Sequence, residues 1–211
     1  QTFNGATRGF ALSAEVTQSL HALSRREGVT LFMTLLAAYN VFLARYSGQA
    51  DICVGTTTAN RNRKEIEGLI GYFLNTLVLR TRLESGSSTQ WTTFRELLGR
   101  VRETTLGAFS HQDVPFEKLV EVLHPKRELS HSPLFQVAFV LQNTPLQTVP
   151  LGDIQVQLLS GTDNTAKYDL LLSVIETADG LKCGMEYNTD LFDASTIDRM
   201  ISHFRTLVEN L

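Results

Sequence analysis

Cysteine is nearly absent: Cys53 and Cys183 are the only two in 211 residues. Each stands in a strand-like apolar pattern without companions, which excludes a disulfide framework and a zinc knuckle and fits a reducing cytoplasm. An excess of charge of either sign is missing too. The 19 Lys and Arg residues are scattered against 22 Asp and Glu for a net charge of -3, so there is no electrostatic footprint for nucleic acid or an anionic membrane. No apolar run is long enough to span a bilayer: LFMTLLAAYNVFLARY, from Leu31, is interrupted by Thr34, Asn40 and Arg45 and falls short of the ~20 residues required. A phosphate-cradling Gly-rich loop, G-x-S-x-G and metal-ligand spacing are all lacking, and none of the five histidines is followed four residues later by aspartate. There is no internal repeat or low-complexity linker. Gln1 enters patterned sequence without an initiator Met or leader, as expected of a chain cut from something longer.

What is present is a 43% hydrophobic composition, enough for a core within one domain. Ser13 is placed to cap a helix over 14–27 that Gly28 stops. Thr30 caps a second, to Tyr46, which is apolar nearly all round and so belongs in the middle of the protein. DICVGTTTA at 51–59 reads as a strand, 60–71 as a charged loop with a helical turn, and 72–83 as a second strand. Thr89 opens an amphipathic helix with Trp91, Phe94, Leu97, Leu98 and Val101 on one face and a Glu96–Arg100 pair on the other. Strands follow at 134–142 and 154–158, then a hairpin of 168–176 and 181–187 turning at Ala178-Asp179-Gly180. A helix capped by Asp193 closes the chain. Interleaved helices and strands with both hairpin and crossover connections imply one α/β domain over 1–211, a mixed sheet with helices packed on it.

Several residues invite a chemical reading. SHQDVPFEKLVEVL, from Ser110, brings a histidine, an aspartate and a glutamate together. Pro115 suits a first helical position and Glu117 the first turn, Asp113 also has a capping explanation, and Leu119, Val120 and Leu123 supply an apolar face. His111 at a helix end favours bonding free carbonyls over acting as a base. In FLNTLVLRTRL, Asn75 shares a face with Leu77, Leu79 and Leu83, so its amide either locks a neighbouring loop or lines a polar channel. At 134–142, Phe135, Val137, Phe139 and Leu141 form one face. Gln136, Ala138, Val140 and Gln142 form the other, bordering a channel or packing through hydrogen bonds. The run Arg61, Arg63, Lys64 is partly neutralised by Glu65 and Glu67 and reads as solvated.

Three segments together resemble the condensation domains of nonribosomal peptide synthetases. IGYFLNTLVLR at 70–80 is similar to the family's fifth core motif through Gly71, Asn75, Thr76 and Arg80. HQDVPFE at 111–117 resembles the sixth almost letter for letter, with His111, Gln112, Asp113, Pro115 and Glu117. RELSHSPL at 127–134 resembles the seventh through Arg127, Ser130 and Pro133, with Glu128 where aspartate is more usual. The first four motifs are missing, including the HHxxxDG segment carrying the family's active-site histidine, so the likeness is to the C-terminal lobe, with the N-terminal lobe absent.

The resemblance implies a chloramphenicol-acetyltransferase-like α/β lobe, the second of two forming a V around a tunnel. There, an acceptor amine attacks a donor thioester, both carried on phosphopantetheine, to form an amide bond. It implies no directly bound cofactor, no metal and no catalytic residue in this chain. Asn75, Thr76, Gln136 and Gln142 would face the tunnel, with a floor loop near 56–63 (Thr57, Asn60, Arg61) and a latch to the other lobe. Implied partners are the N-terminal lobe, donor and acceptor peptidyl carrier proteins and an adenylation domain. The alternatives are a non-catalytic docking module for carrier protein or lobe, and a self-contained acyltransferase using His111 as base.

Overall fold

The computed structural model describes residues 2–61, 63–84, 92–124, 132–142 and 164–211. Its elements run β1 (Gly5–Ser13), α1 (Ala14–Arg26), α2 (Leu31–Ser47), β2 (Asp51–Thr58), α3 (Lys64–Glu67), β3 (Asn75–Arg82), α4 (Phe94–Ser110), α5 (Phe116–Leu123), β4 (Val137–Gln142), β5 (Leu170–Thr177), β6 (Gly180–Asn188) and α6 (Ala194–Glu209).

Local chemistry places most boundaries. The hydroxyls of Ser13 and Thr30 accept from the amides of Val16 and Met33 at the starts of α1 and α2, and Gly48 ends α2 in the left-handed conformation, as capping rules require. The helix expected from Thr89 starts later. Thr93 and Glu96 form a reciprocal capping box at the start of α4, while Thr89 and Trp91 lie outside the described residues. Glu96 is therefore engaged by the cap, and Arg100 donates instead to the carbonyls of Arg82 and Glu84. Pro115 occupies the cap position of α5, one residue before the expected first helical position. Asp193 stands at the cap of α6 without a side-chain bond to it.

The six strands form one sheet in the order β1-β6-β5-β4-β2-β3. Strand β4 lies parallel to β2 and β5, and the other neighbours are antiparallel, so the sheet is mixed, as the connections implied. Strand β1 is an element that the sequence pattern did not reveal. GATRGFALS holds two glycines and little β-branching, and its partner is β6 over nine residues at the far end of the chain. The expected strand at 154–158, with Arg127 and Ser130, falls outside the described residues.

One face of the sheet packs on α2, whose Leu35, Leu36, Ala37, Ala38, Tyr39 and Ala44 are wholly buried, and α1, α4 and α6 complete that core. Tyr39 stacks with Phe42 and meets Phe139 and Phe204 within 6.3 Å. Facing residues Val54, Leu79, Phe139, Leu172, Val174 and Met185 come from five strands.

Phe135 does not join Phe139 on this face. Leu134 has φ 72° and the Phe135 amide bonds the Pro133 carbonyl, so regular alternation starts only at Val137. The Phe135 ring instead lies on the opposite face, where a Cβ on Gly55 would come within 2.0 Å of it. Phe116 and Tyr168 flank it at 5.8 and 5.4 Å. That face is otherwise half-buried at Val78, Val140, Leu171, Ser173 and Ile175.

Candidate functional site

Several of the residues singled out by sequence, Asn75, Gln112, Thr57 and Asn60 among them, converge on one place, the C-terminal ends of β2 and β4. Strand β3 begins at Asn75, opposite Thr58 at the end of β2, and residues 72–74 precede it as loop. The turn between α4 and α5 lies against this corner.

Asn75 joins the pieces. Its Nδ2 donates to the carbonyls of Gln112 and Val114 at 2.7 and 2.8 Å, and its Oδ1 accepts from the amides of Thr76 and Phe116 at 2.9 and 3.2 Å. A primary amide has two donors and two acceptor sites, so Asn75 is saturated. The bond to Phe116 also supplies the first turn of α5 with an acceptor, which Pro115 at the cap lacks. Two sequence motifs far apart in the chain thus interlock: the asparagine of one holds the backbone of the other.

Gln112 extends the network. The Thr58 hydroxyl donates to its side-chain oxygen at 2.9 Å, and the Asn60 amide donates to the Thr58 hydroxyl at 3.3 Å. Asn60 adopts φ 49°, a left-handed turn that asparagine tolerates better than most residues. Residues 56–58, expected in the floor loop, are the last residues of β2, and Thr57 is exposed there; the loop proper starts at Ala59. Beside it, Thr56, Thr57, Phe32, Met33, Phe109 and Leu141 line a cavity of about 480 Å³, at the strand ends where open α/β sheets hold ligands.

His111 sits at the end of α4, where its Nδ1 donates to the Gly107 carbonyl at 2.9 Å, with the Ser110 hydroxyl 3.0 Å away. It serves the carbonyls left free by the helix end, as its position suggested. With Thr76, Val114 and Phe116 it lines a smaller cavity of about 200 Å³. Glu117 is exposed in the first turn of α5, and Asp113 is exposed in the turn before it.

Not every candidate gathers here. Gln136 precedes β4 and donates to the Ser132 carbonyl at 3.0 Å, whereas Gln142 is exposed at the other end of β4. Six residues of strand separate them by about 20 Å. Arg80 forms a two-pronged pair with Asp51 at 2.9 and 2.6 Å, which holds the Asp51 carboxyl below the usual carboxylate range. Burial pushes the Cys53 thiol up and the Cys183 thiol up to about 12, so neither is a ready nucleophile.

The condensation domain family's model matches residues 1–211. The chain belongs to the condensation-domain family. A linear gramicidin synthase of Brevibacillus parabrevis is 52% identical over 216 residues, covering 100% of this chain and 4% of that protein. Surfactin synthase subunit 1 of Bacillus subtilis (strain 168) is 41% identical over 210 residues, 100% of this chain and 6% of that protein. The condensation-domain chain thus spans a small fraction of its curated relatives. Among solved structures, the X-domain from teicoplanin biosynthesis superposes with a TM-score of 0.88 at 26% identity, over 98% of this chain and 46% of that one. The condensation domain from Monacolin K polyketide synthase MokA shares the fold, with a TM-score of 0.84 at 22% identity over 97% of this chain and 46% of that one.

Two structural features of this condensation-domain chain are not apparent from its sequence, and a third is only hinted at. The Thr58–Gln112 bond has no local signature. Arg61, expected to be solvated, is half-buried and donates to the carbonyls of Ile66, Glu67 and Gly71. The seat of Phe135 on Gly55 did leave a trace: a glycine inside the β-branched run ICVGTTT marks a close approach.

Proposed function

We propose that this chain is the C-terminal lobe of a condensation domain that joins a donor acyl or peptidyl thioester to an acceptor aminoacyl amine, both delivered on phosphopantetheine arms by carrier proteins. Its contribution is structural: tunnel wall, floor loop, latch and carrier-protein contacts, beside an adenylation domain and in the cytoplasm. The observation that carries this reading is the state of its polar candidates. Asn75 is saturated within the fold, and the Nδ1 of His111 is tied to its own helix end. Acid–base work and stabilisation of the tetrahedral intermediate then fall to a complementary N-terminal lobe bearing the HHxxxDG histidine.

The surface supports a partner lobe. Helix α5 is amphipathic, yet none of its residues is buried, and Val122 and Leu123 are exposed. Nearby, Leu69, Ile70, Tyr72 and Leu74 are exposed on the connection leading to Asn75. Apolar side chains concentrated in this way mark a contact surface. The test is amide formation by the complete domain containing this chain, with loaded donor and acceptor carrier proteins. A new amide-linked product that requires the acceptor amine is expected; none formed with fully loaded carriers would overturn the reading. A docking role is the second reading, favoured by the fold match at 26% identity to an X-domain solved in a complex with OxyB from teicoplanin biosynthesis.

A further inference from the structure

The connection between β2 and β3 exposes Ile70 fully and Tyr72 at 86%. Such side chains ordinarily fold back, because exposed apolar area is unfavourable. Here they project outward, and one side chain binds the backbone around them. Arg61 directs Nη1 to the carbonyls of Ile66 and Glu67 and Nη2 to that of Gly71. Its guanidinium lies 4.3 Å from the centre of the Phe73 ring. The first two carbonyls lie at the end of the single turn of α3, where that of Ile66 also accepts from the amides of Gly68 and Leu69. Gly71 stands between Ile70 and Tyr72, and a Cβ added to it would meet the Phe73 ring at 3.1 Å.

We propose that Arg61 is the positioning residue of this loop: it gathers the backbone of 66–71 around a planar cation and stacks on Phe73, fixing Ile70 and Tyr72 in the projecting geometry through which the loop contacts the complementary lobe. This rests on the lobe reading above. Lysine is no substitute, since an ammonium lacks both the planar fork that reaches several carbonyls and the flat face that stacks on a ring. The ends of the loop are held independently, by Thr58–Gln112 at one side and Asn75 at the other. Losing Arg61 therefore loosens the middle of the loop without unfolding the sheet.

Two measurements decide it. In the chain itself, hydrogen exchange at amides 66–73 should accelerate at least tenfold in both Arg61→Ala and Arg61→Lys, with exchange in β2 and β3 unchanged. Unchanged loop exchange would overturn the proposal whether or not the lobe reading stands. In the complete domain, Arg61→Ala should slow amide formation about tenfold or more, the scale of effect that small misplacements produce, and millimolar guanidinium should restore part of the rate. In an Ile70→Ala/Tyr72→Ala background the same substitution should have no further effect, the non-additivity expected if Arg61 acts through those side chains. Full activity in Arg61→Lys, or additive losses in the triple variant, would overturn it. Failure of the wild-type domain to form amide would instead sink the lobe reading and leave the exchange result to decide the loop.

Discussion

At the scale of single residues, the saturation of Asn75 has a direct consequence. Every donor and acceptor site of its amide has a backbone partner in the fold, so substitutions act first on the α4–α5 turn. Asn75→Ala leaves the carbonyls of Gln112 and Val114 and the amide of Phe116 without this partner, at a cost of roughly 1–3 kcal/mol. Asn75→Asp should be worse, because a carboxylate faces two carbonyl oxygens with no proton to donate. Urea unfolding at pH 7 checks the order; an Asp variant as stable as wild type would show that the two carbonyl bonds contribute nothing. From the residues alone this amide has two roles, loop lock or channel lining, and the family resemblance favours the channel. Alternation shows which face Asn75 shares, but three of its four partners lie 37 to 41 positions away, beyond any local pattern.

At the scale of elements, strands and helices with strong local chemistry were legible and long-range ones were not. Helix α2 is readable from Thr30 and a surface apolar nearly all round, and the β5–β6 hairpin from its two-residue Ala178-Asp179 turn before Gly180. Strand β1 has no local signature because its stability comes from β6, and Phe135 takes the face opposite to the one alternation implies because Leu134 breaks the pattern. The packing of Phe135 over Gly55 gives a test: Gly55→Ala forces ring and strand apart and should destabilise the fold by about 1–3 kcal/mol, measured by thermal or urea unfolding. No loss would mean that the ring has another seat. The pairing of β2 with β3 carries a pH signature. Arg80, with Arg82, lowers the Asp51 carboxyl in the folded state, so the pair's contribution is present above the ordinary carboxylate range, about pH 4. It is lost as pH falls through the lower folded value. The stability gap between wild type and Asp51→Asn should therefore shrink from pH 6 to pH 3; a gap that held constant or widened would contradict the pairing.

At the scale of the whole molecule, the chain has one well-packed side and one displayed side. Helices α1, α2, α4 and α6 share the core on one face of the sheet. By contrast, α5 and the loop before β3 present apolar side chains outward, and the chain spans 46% of the X-domain structure whose fold it matches. Both facts follow if the polar residues at the corner of β2, β3 and α5 hold a surface in shape for a second lobe that performs the chemistry. The most direct measurement is amide formation from loaded donor and acceptor carrier proteins by this chain alone and by the complete domain, each with and without His111→Ala. The account expects no product from the chain alone, and amide formation by the complete domain whose rate per folded molecule survives the substitution. Product made by the isolated chain and abolished by His111→Ala would contradict it.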